Sequence, residues 1–86
     1  MLLTIDIGNT NTVLGVFKDE ELIDSWRVKT DARDTADELW ILWSSLISDY
    51  KVSGLSICST VPAVLREARS MVDSYFRDIR TTIIEP

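Results

Sequence analysis

The sequence predicts a mixed α/β domain: one mixed sheet with helices packed on it, in the order β-β-β-α-β-α-β. Three observations carry this. The first third holds three short runs of branched and apolar residues separated by polar turn residues, as in an antiparallel meander. The remainder alternates helix-period and strand-period patterns, which connects further strands through helices. Finally, 86 residues, 45% of them hydrophobic and 27% charged, suffice for one packed core and are too few for two, so residues 1–86 are read as a single domain.

Leu2 to Ile7 reads as a buried strand. Gly8-Asn9-Thr10-Asn11 is a turn signal of residues that tolerate tight or left-handed backbone. Thr12 to Phe17 predicts a second strand, with Gly15 marking a bulge or a close approach. After the polar break Lys18-Asp19-Glu20-Glu21, Leu22 to Lys29 resumes an extended pattern. Thr35-Ala36-Asp37-Glu38 is a capping-box signature, and Ala36, Leu39, Trp40, Trp43, Leu46 and Ile47 recur at helical spacing, predicting a helix to about Asp49. Val52 to Thr60 predicts another strand, apolar at Leu55, Ile57 and Cys58. Pro62 suits a first helical turn, and Leu65, Ala68, Val72, Tyr75 and Phe76 mark the inner face of a second helix. Thr81 to Glu85 is the last strand.

Composition narrows the function. A net charge of −5 argues against a nucleic-acid partner, which needs clustered Lys and Arg. A small anionic ligand stays open, because backbone N–H groups and a metal ion can hold phosphate in an acidic protein. The absence of histidine excludes His-based acid–base chemistry and His metal sites from this chain. Cys58 is the only cysteine, so no internal disulfide forms, consistent with a reducing cytoplasm. The N-terminus lacks a positive region, and Asp6 interrupts its apolar run, so it is no signal peptide. No apolar stretch approaches the roughly 20 residues of a membrane span. A cytoplasmic protein with no membrane partner is expected.

The chemistry concentrates in Asp6-Ile7-Gly8-Asn9-Thr10-Asn11-Thr12-Val13. A phosphate tail needs N–H groups pointing into a concavity and no Cβ where the chain approaches closest. Gly8 meets the second need, Asn9 and Asn11 add amide donors, and Thr10 and Thr12 add hydroxyls. A bare Asp6 carboxylate would repel phosphate, so its place there makes sense with Mg²⁺ between them through water. The competing reading is an ordinary β-hairpin, because Asp, Asn and Gly are common turn residues.

Trp26, Trp40 and Trp43 could line an interface, but core and helix packing fits the spacing of Trp40 and Trp43. Asp31, Asp34, Asp37 and Glu38 could form a cation cluster, but loop solvation and helix N-terminal charge explain them. Cys58 reads as a small core residue. Arg66, Arg69, Arg77 and Arg80 interleave with acids as a solvated face. Ser59 and Thr60 end a strand near the Gly8 turn and suit a cap for the Pro62 helix, with a ligand contact as the alternative.

Asp6-Ile7-Gly8-Asn9-Thr10-Asn11-Thr12, set after a short N-terminal strand, resembles the first phosphate motif of the actin-like superfamily in the Asp-x-Gly-Asn-Thr form of type III pantothenate kinases. Leu55-Ser56-Ile57-Cys58-Ser59-Thr60-Val61-Pro62 resembles that family's strand ending in a Ser/Thr-Val-Pro turn. Trp26-Arg27 with Thr30, and Thr35-Ala36-Asp37-Glu38-Leu39, stand in the family's order. The likeness covers the whole chain and implies a ribonuclease H-like half-domain. It also implies ATP-dependent phosphorylation of pantothenate, the first step of coenzyme A synthesis, by a homodimer using Mg²⁺ and a monovalent cation, K⁺ or NH₄⁺. By the same likeness Asp6 through Val13 form the ATP phosphate loop, with Asp6 orienting metal-bound phosphates. The family's Gly-Ala-Asp-Arg motif, whose Asp is the general base, and its second phosphate loop are not in this sequence, nor is the monovalent-cation site. Half a site, from a truncated kinase and inactive alone, is therefore expected. A non-catalytic accessory homologue of the same fold and a plain structural domain are the alternatives.

Overall fold

The computed structural model describes residues 1–85. The elements follow the predicted order: β1 (Leu2–Ile7), β2 (Asn11–Lys18), β3 (Glu21–Lys29), α1 (Ala36–Leu46), β4 (Gly54–Ser59), α2 (Pro62–Tyr75) and β5 (Arg80–Ile84). They build one five-stranded sheet in the order β3-β2-β1-β4-β5. β1 pairs antiparallel with β2 and β2 with β3, while β1–β4 and β4–β5 are parallel. The meander is thus as expected, and each parallel step is made through a helix.

Strand alternation separates two faces. Leu3, Ile5 and Ile7 of β1, Leu14 and Val16 of β2, and Leu55 and Ile57 of β4 are buried on one face. They form one core with Leu39 and Trp43 of α1 and Leu65, Ala68, Met71 and Val72 of α2. The intervening positions Thr4, Asp6, Val13, Ser56 and Cys58 belong to the opposite face. Cys58 is consequently exposed, which corrects its reading as a core residue: its neighbours Ile57 and Ser59 point inward, so Cys58 must point out. Gly15 supplies the expected close approach, since a Cβ there would sit 3.0 Å from Thr4 Oγ1. The bulge itself falls at Val16/Phe17.

α1 is fixed at its start by the predicted capping box. Glu38 N–H donates to Thr35 Oγ1 at 3.2 Å, and Thr35 N–H donates back to Glu38 Oε1 at 3.0 Å. Glu67 of α2 adds a third acceptor, taking the Ala36 N–H at 3.1 Å. Thr35→Ala is expected to lower stability by about 1 kcal/mol, read as a lower urea midpoint at unchanged slope. An unshifted midpoint would show that Glu67 alone holds the helix start.

α1 stops at Leu46, short of the expected Asp49, because Ile47 takes the C-cap, its N–H donating to Trp43 O. Trp43 is buried as expected; Trp40 is half-buried and stacks on Tyr75 at 4.6 Å. Tyr75 does not lie on the inner face of α2. It is 40% exposed and its hydroxyl donates to Asp37 at 2.7 Å, which clamps the two helices together. That hydrogen bond, partial desolvation and the Asp37 charge raise the phenol above its ordinary pKa. Arg66, Arg69, Arg77 and Arg80 are exposed, as read. No described helix is long and apolar enough to cross a membrane.

Candidate functional site

The C-terminal ends of β1, β3 and β4 meet at one edge of the sheet, where β2 begins and α1 and α2 start. In open α/β sheets this is the edge at which ligands bind, because loops diverge there and helix N-termini face it. The Gly8–Asn11 turn lies on this edge. On one side, Thr60 N–H donates to Ile7 O at 3.1 Å; on the other, Thr30 N–H donates to Thr10 O at 2.9 Å. The loop is therefore held by both flanking connections.

Gly8 N–H donates to Asn11 O at 2.9 Å and closes the hairpin. Bonded and non-bonded pairs alternate along an antiparallel ladder, which makes Asp6↔Val13 the next bonded pair with β1 and Thr12↔Val28 a bonded pair with β3. The N–H groups of Gly8, Thr12 and Val13 are thus occupied within the sheet. Among the described residues none accepts a hydrogen bond from the N–H groups of Asn9, Thr10 or Asn11. The eight-residue stretch divides accordingly: three adjacent amides are free at the tip, and the residues around them form their support.

The side chains divide as well. Asp6, Asn9, Thr10 and Asn11 are exposed, whereas Ile7 and Thr12 are buried and Val13 is half-buried. Thr12 does not offer its hydroxyl to the surface: it lies on the core side, 2.8 Å from the hydroxyl of Thr30. Asn9 and Asn11 do not use left-handed backbone, since Asp19 in the β2–β3 turn, at φ 56°, is the sole described non-glycine residue with positive φ. Gly8 has no positive φ either. Its role is the close approach, because a Cβ would lie 3.1 Å from Asn11 O.

A surface hollow of about 530 Å³ opens beside the loop, with Asn9, Lys29, Thr30, Arg33 and Asp34 on its walls. Two cationic side chains, Lys29 and Arg33, share these walls with Asn9 and with two carboxylates, Asp31 and Asp34, and Arg33 pairs with Asp31 at 3.7 Å. Burial, then the carboxylates of Asp31 and Glu38, raises the Asp34 pKa. Asp31 accepts the Arg33 N–H at 2.9 Å and shapes the turn into α1. Asp37 and Glu38 lie in the first turn of α1, where acidic charge suits a helix start. No group of three or more Cys, Asp or Glu side chains among the described residues could hold a metal ion. Ser59 is buried and bridges Val61, accepting its N–H at 2.9 Å and donating to its carbonyl at 3.2 Å. It closes the turn into α2 without capping the helix, whose N-cap Val61 has no side-chain partner. Thr60 is exposed at the same edge. Sequence reasoning did not assign Lys29, Thr30 or Arg33 to the site, because only the strand register brings the end of β3 beside Gly8–Asn11.

A family model described as "Type III pantothenate kinase" matches residues 2–86. The chain is 60% identical over 86 residues to a type III pantothenate kinase of Frankia casuarinae and 58% identical to one of Frankia alni, in each case over 100% of this chain and 34% of the relative. The chain therefore spans about a third of the length of the curated relatives it matches. Among solved structures, a ROK family protein from Streptococcus pneumoniae in complex with sucrose superposes with a TM-score of 0.71 at 17% identity, over 98% of this chain and 34% of that one. At that identity the likeness concerns the fold, a mixed α/β sheet of the actin-like, ribonuclease H-like kind.

Proposed function

This chain belongs to the type III pantothenate kinase family, and from that premise we propose that it forms the ATP phosphate-binding part of an enzyme that phosphorylates pantothenate. The reaction is the first step of coenzyme A synthesis. One observation carries this reading: among the described residues, three successive N–H groups, Asn9 to Asn11, have no hydrogen-bond partner, at the edge of the sheet where open α/β folds bind ligands and next to the exposed carboxylate of Asp6. Unpaired amides on a rigid hairpin suit the terminal phosphates of ATP, since phosphoryl transfer asks a protein chiefly for positioning and charge stabilisation.

Asp6 fits Mg²⁺ in the way this ion is usually held. Mg²⁺ keeps several waters and takes one or two carboxylates together with substrate phosphates, so a single exposed carboxylate suffices where a protein cage would not form. Asp6 takes part in neither of the ion pairs among the described residues, Arg33–Asp31 and Arg69–Glu85, and is free for that role. When bound, the ion would neutralise phosphate charge. The proposed ligand contacts are the backbone N–H groups of Asn9 to Asn11, with Ile7, Gly8, Thr12 and Val13 shaping the loop around them.

The general base, the pantothenate pocket and the K⁺ or NH₄⁺ site are assigned to the longer parent protein, read as a cytoplasmic homodimer without a nucleic-acid partner. This 86-residue chain is accordingly expected to bind nucleotide weakly and not to turn over. Isothermal titration of the chain with ATP tests the loop. Asp6→Asn is expected to remove most of the affinity gained from Mg²⁺, at least tenfold, while Mg²⁺-free binding is unchanged. Equal Mg²⁺ dependence in both proteins, or no binding by the wild type, would leave an ordinary hairpin. Coupled ADP release from the full-length protein with ATP, Mg²⁺, K⁺ and pantothenate tests the reaction.

A further inference from the structure

The free amides of Asn9, Thr10 and Asn11 are useful only if the tip of the hairpin keeps one shape, and a two-stranded turn at the rim of a sheet is ordinarily mobile. β1 and β2 alone give the tip a single cross-turn bond, Gly8 N–H to Asn11 O. The residue that completes the support comes from outside the hairpin. Thr30, the residue after β3, makes two bonds to it: its N–H donates to Thr10 O at 2.9 Å, and its hydroxyl lies 2.8 Å from that of Thr12. The first bond holds the tip directly, and the second holds the residue that follows Asn11.

We propose that Thr30 is a positioning residue for the phosphate loop, fixing the Asn9–Asn11 amides in their binding orientation from the start of the β3–α1 connection. This rests on the functional reading above and adds a residue to it. Three features make the hydroxyl specific. Thr12 is buried, 3% exposed, so its hydroxyl has little access to water and depends on Thr30 for a partner. Either hydroxyl can donate, so serine at position 30 could reproduce the bond while valine, equal in shape, could not. The same segment also forms a wall of the hollow beside the loop, through Lys29, Thr30 and Arg33, so a displaced Thr30 would move both sides of the site together.

Thr30→Val and Thr30→Ser in the 86-residue chain test this in two arms. In the ligand-free arm, amide hydrogen exchange is followed by NMR. Thr30→Val is expected to speed exchange of the Gly8 N–H about tenfold, with core amides of β1 such as Ile5 changed much less; Thr30→Ser should stay within twofold of wild type. In the binding arm, Thr30→Val is expected to weaken Mg²⁺–ATP binding five- to tenfold, with Thr30→Ser again close to wild type. Unchanged Gly8 exchange in Thr30→Val, or a serine variant as defective as the valine one, would overturn the proposal. So would uniform acceleration across all core amides, which marks a global loss of stability. A wild-type chain that binds no nucleotide would overturn the functional reading alone, because the ligand-free arm still decides whether Thr30 holds the loop.

Discussion

Gly8→Val is expected to reduce Mg²⁺–ATP binding by more than tenfold while leaving the chain folded. The backbone at Gly8 lies at ordinary φ, so valine is not excluded by its dihedral angles. The obstacle is contact: a Cβ would sit 3.1 Å from Asn11 O, the atom that accepts the Gly8 N–H at 2.9 Å. Approach at that distance forces the two sides of the turn apart by a few tenths of an ångström, and the valine methyl groups add bulk next to the free amides. Overpacking of this kind typically costs about 1–3 kcal/mol, which falls on the turn because the paired ladder beneath it is anchored on both sides. Gly8→Ala, with the Cβ alone, should be intermediate, about two- to fivefold weaker. Titration calorimetry and a thermal melt of both variants separate lost binding from lost fold. Wild-type affinity in Gly8→Val would show that nucleotide does not contact the turn.

Trp43→Ala is expected to have the largest effect on stability. Trp43 is 2% exposed and belongs to the core that joins α1 to the sheet. Removing a buried Trp or Phe side chain costs about 3–5 kcal/mol, a large fraction of the roughly 5–15 kcal/mol that holds a domain folded. At about 4–8 °C per kcal/mol for a domain of this size, the melting temperature should fall by more than 10 °C. Circular dichroism melts measure it. Trp40→Ala is the comparison: Trp40 is half-buried and leans on Tyr75 and Phe76, so its loss should cost less. Equal losses in the two variants would mean that the helix pair is stabilised by its aromatic stack more than by the sheet beneath it.

The elements were legible because local signals agreed with tertiary packing. Thr35 and Glu38 form the capping box that their spacing announced, and the 3.6-residue recurrence of Leu39 and Trp43 corresponds to a buried face. Misreadings arose where composition alone stood in for register. Cys58 sits in an apolar stretch, yet the two-residue period of β4 gives Ile57 and Ser59 the inside and leaves the thiol outside. Tyr75 has helical spacing for the core but ends a helix, where its ring can turn to Trp40 and its hydroxyl to Asp37. Within the candidate site, the sequence assigned Gly8 to a close approach, and the structure has one. What sequence could not give is the neighbour, the Asn11 carbonyl across the turn. Thr30 could not be placed from sequence, since its contacts to Thr10 and Thr12 exist only once β3 has paired with β2.

The central position of β1 has a consequence for how the chain matures on the ribosome. One side of β1 is matched by β2, which is synthesised next; the other side waits for Gly54–Ser59, some fifty residues later. Until β4 emerges, the nascent meander presents a bare apolar strand carrying Leu3, Ile5 and Ile7, the sort of edge that invites pairing with a neighbouring polypeptide. Closing that gap means bringing together segments distant along the chain, which is the slow kind of step in sheet formation. The candidate rim, built at the β1–β2 and β4–α2 junctions together, can take shape only after that late closure.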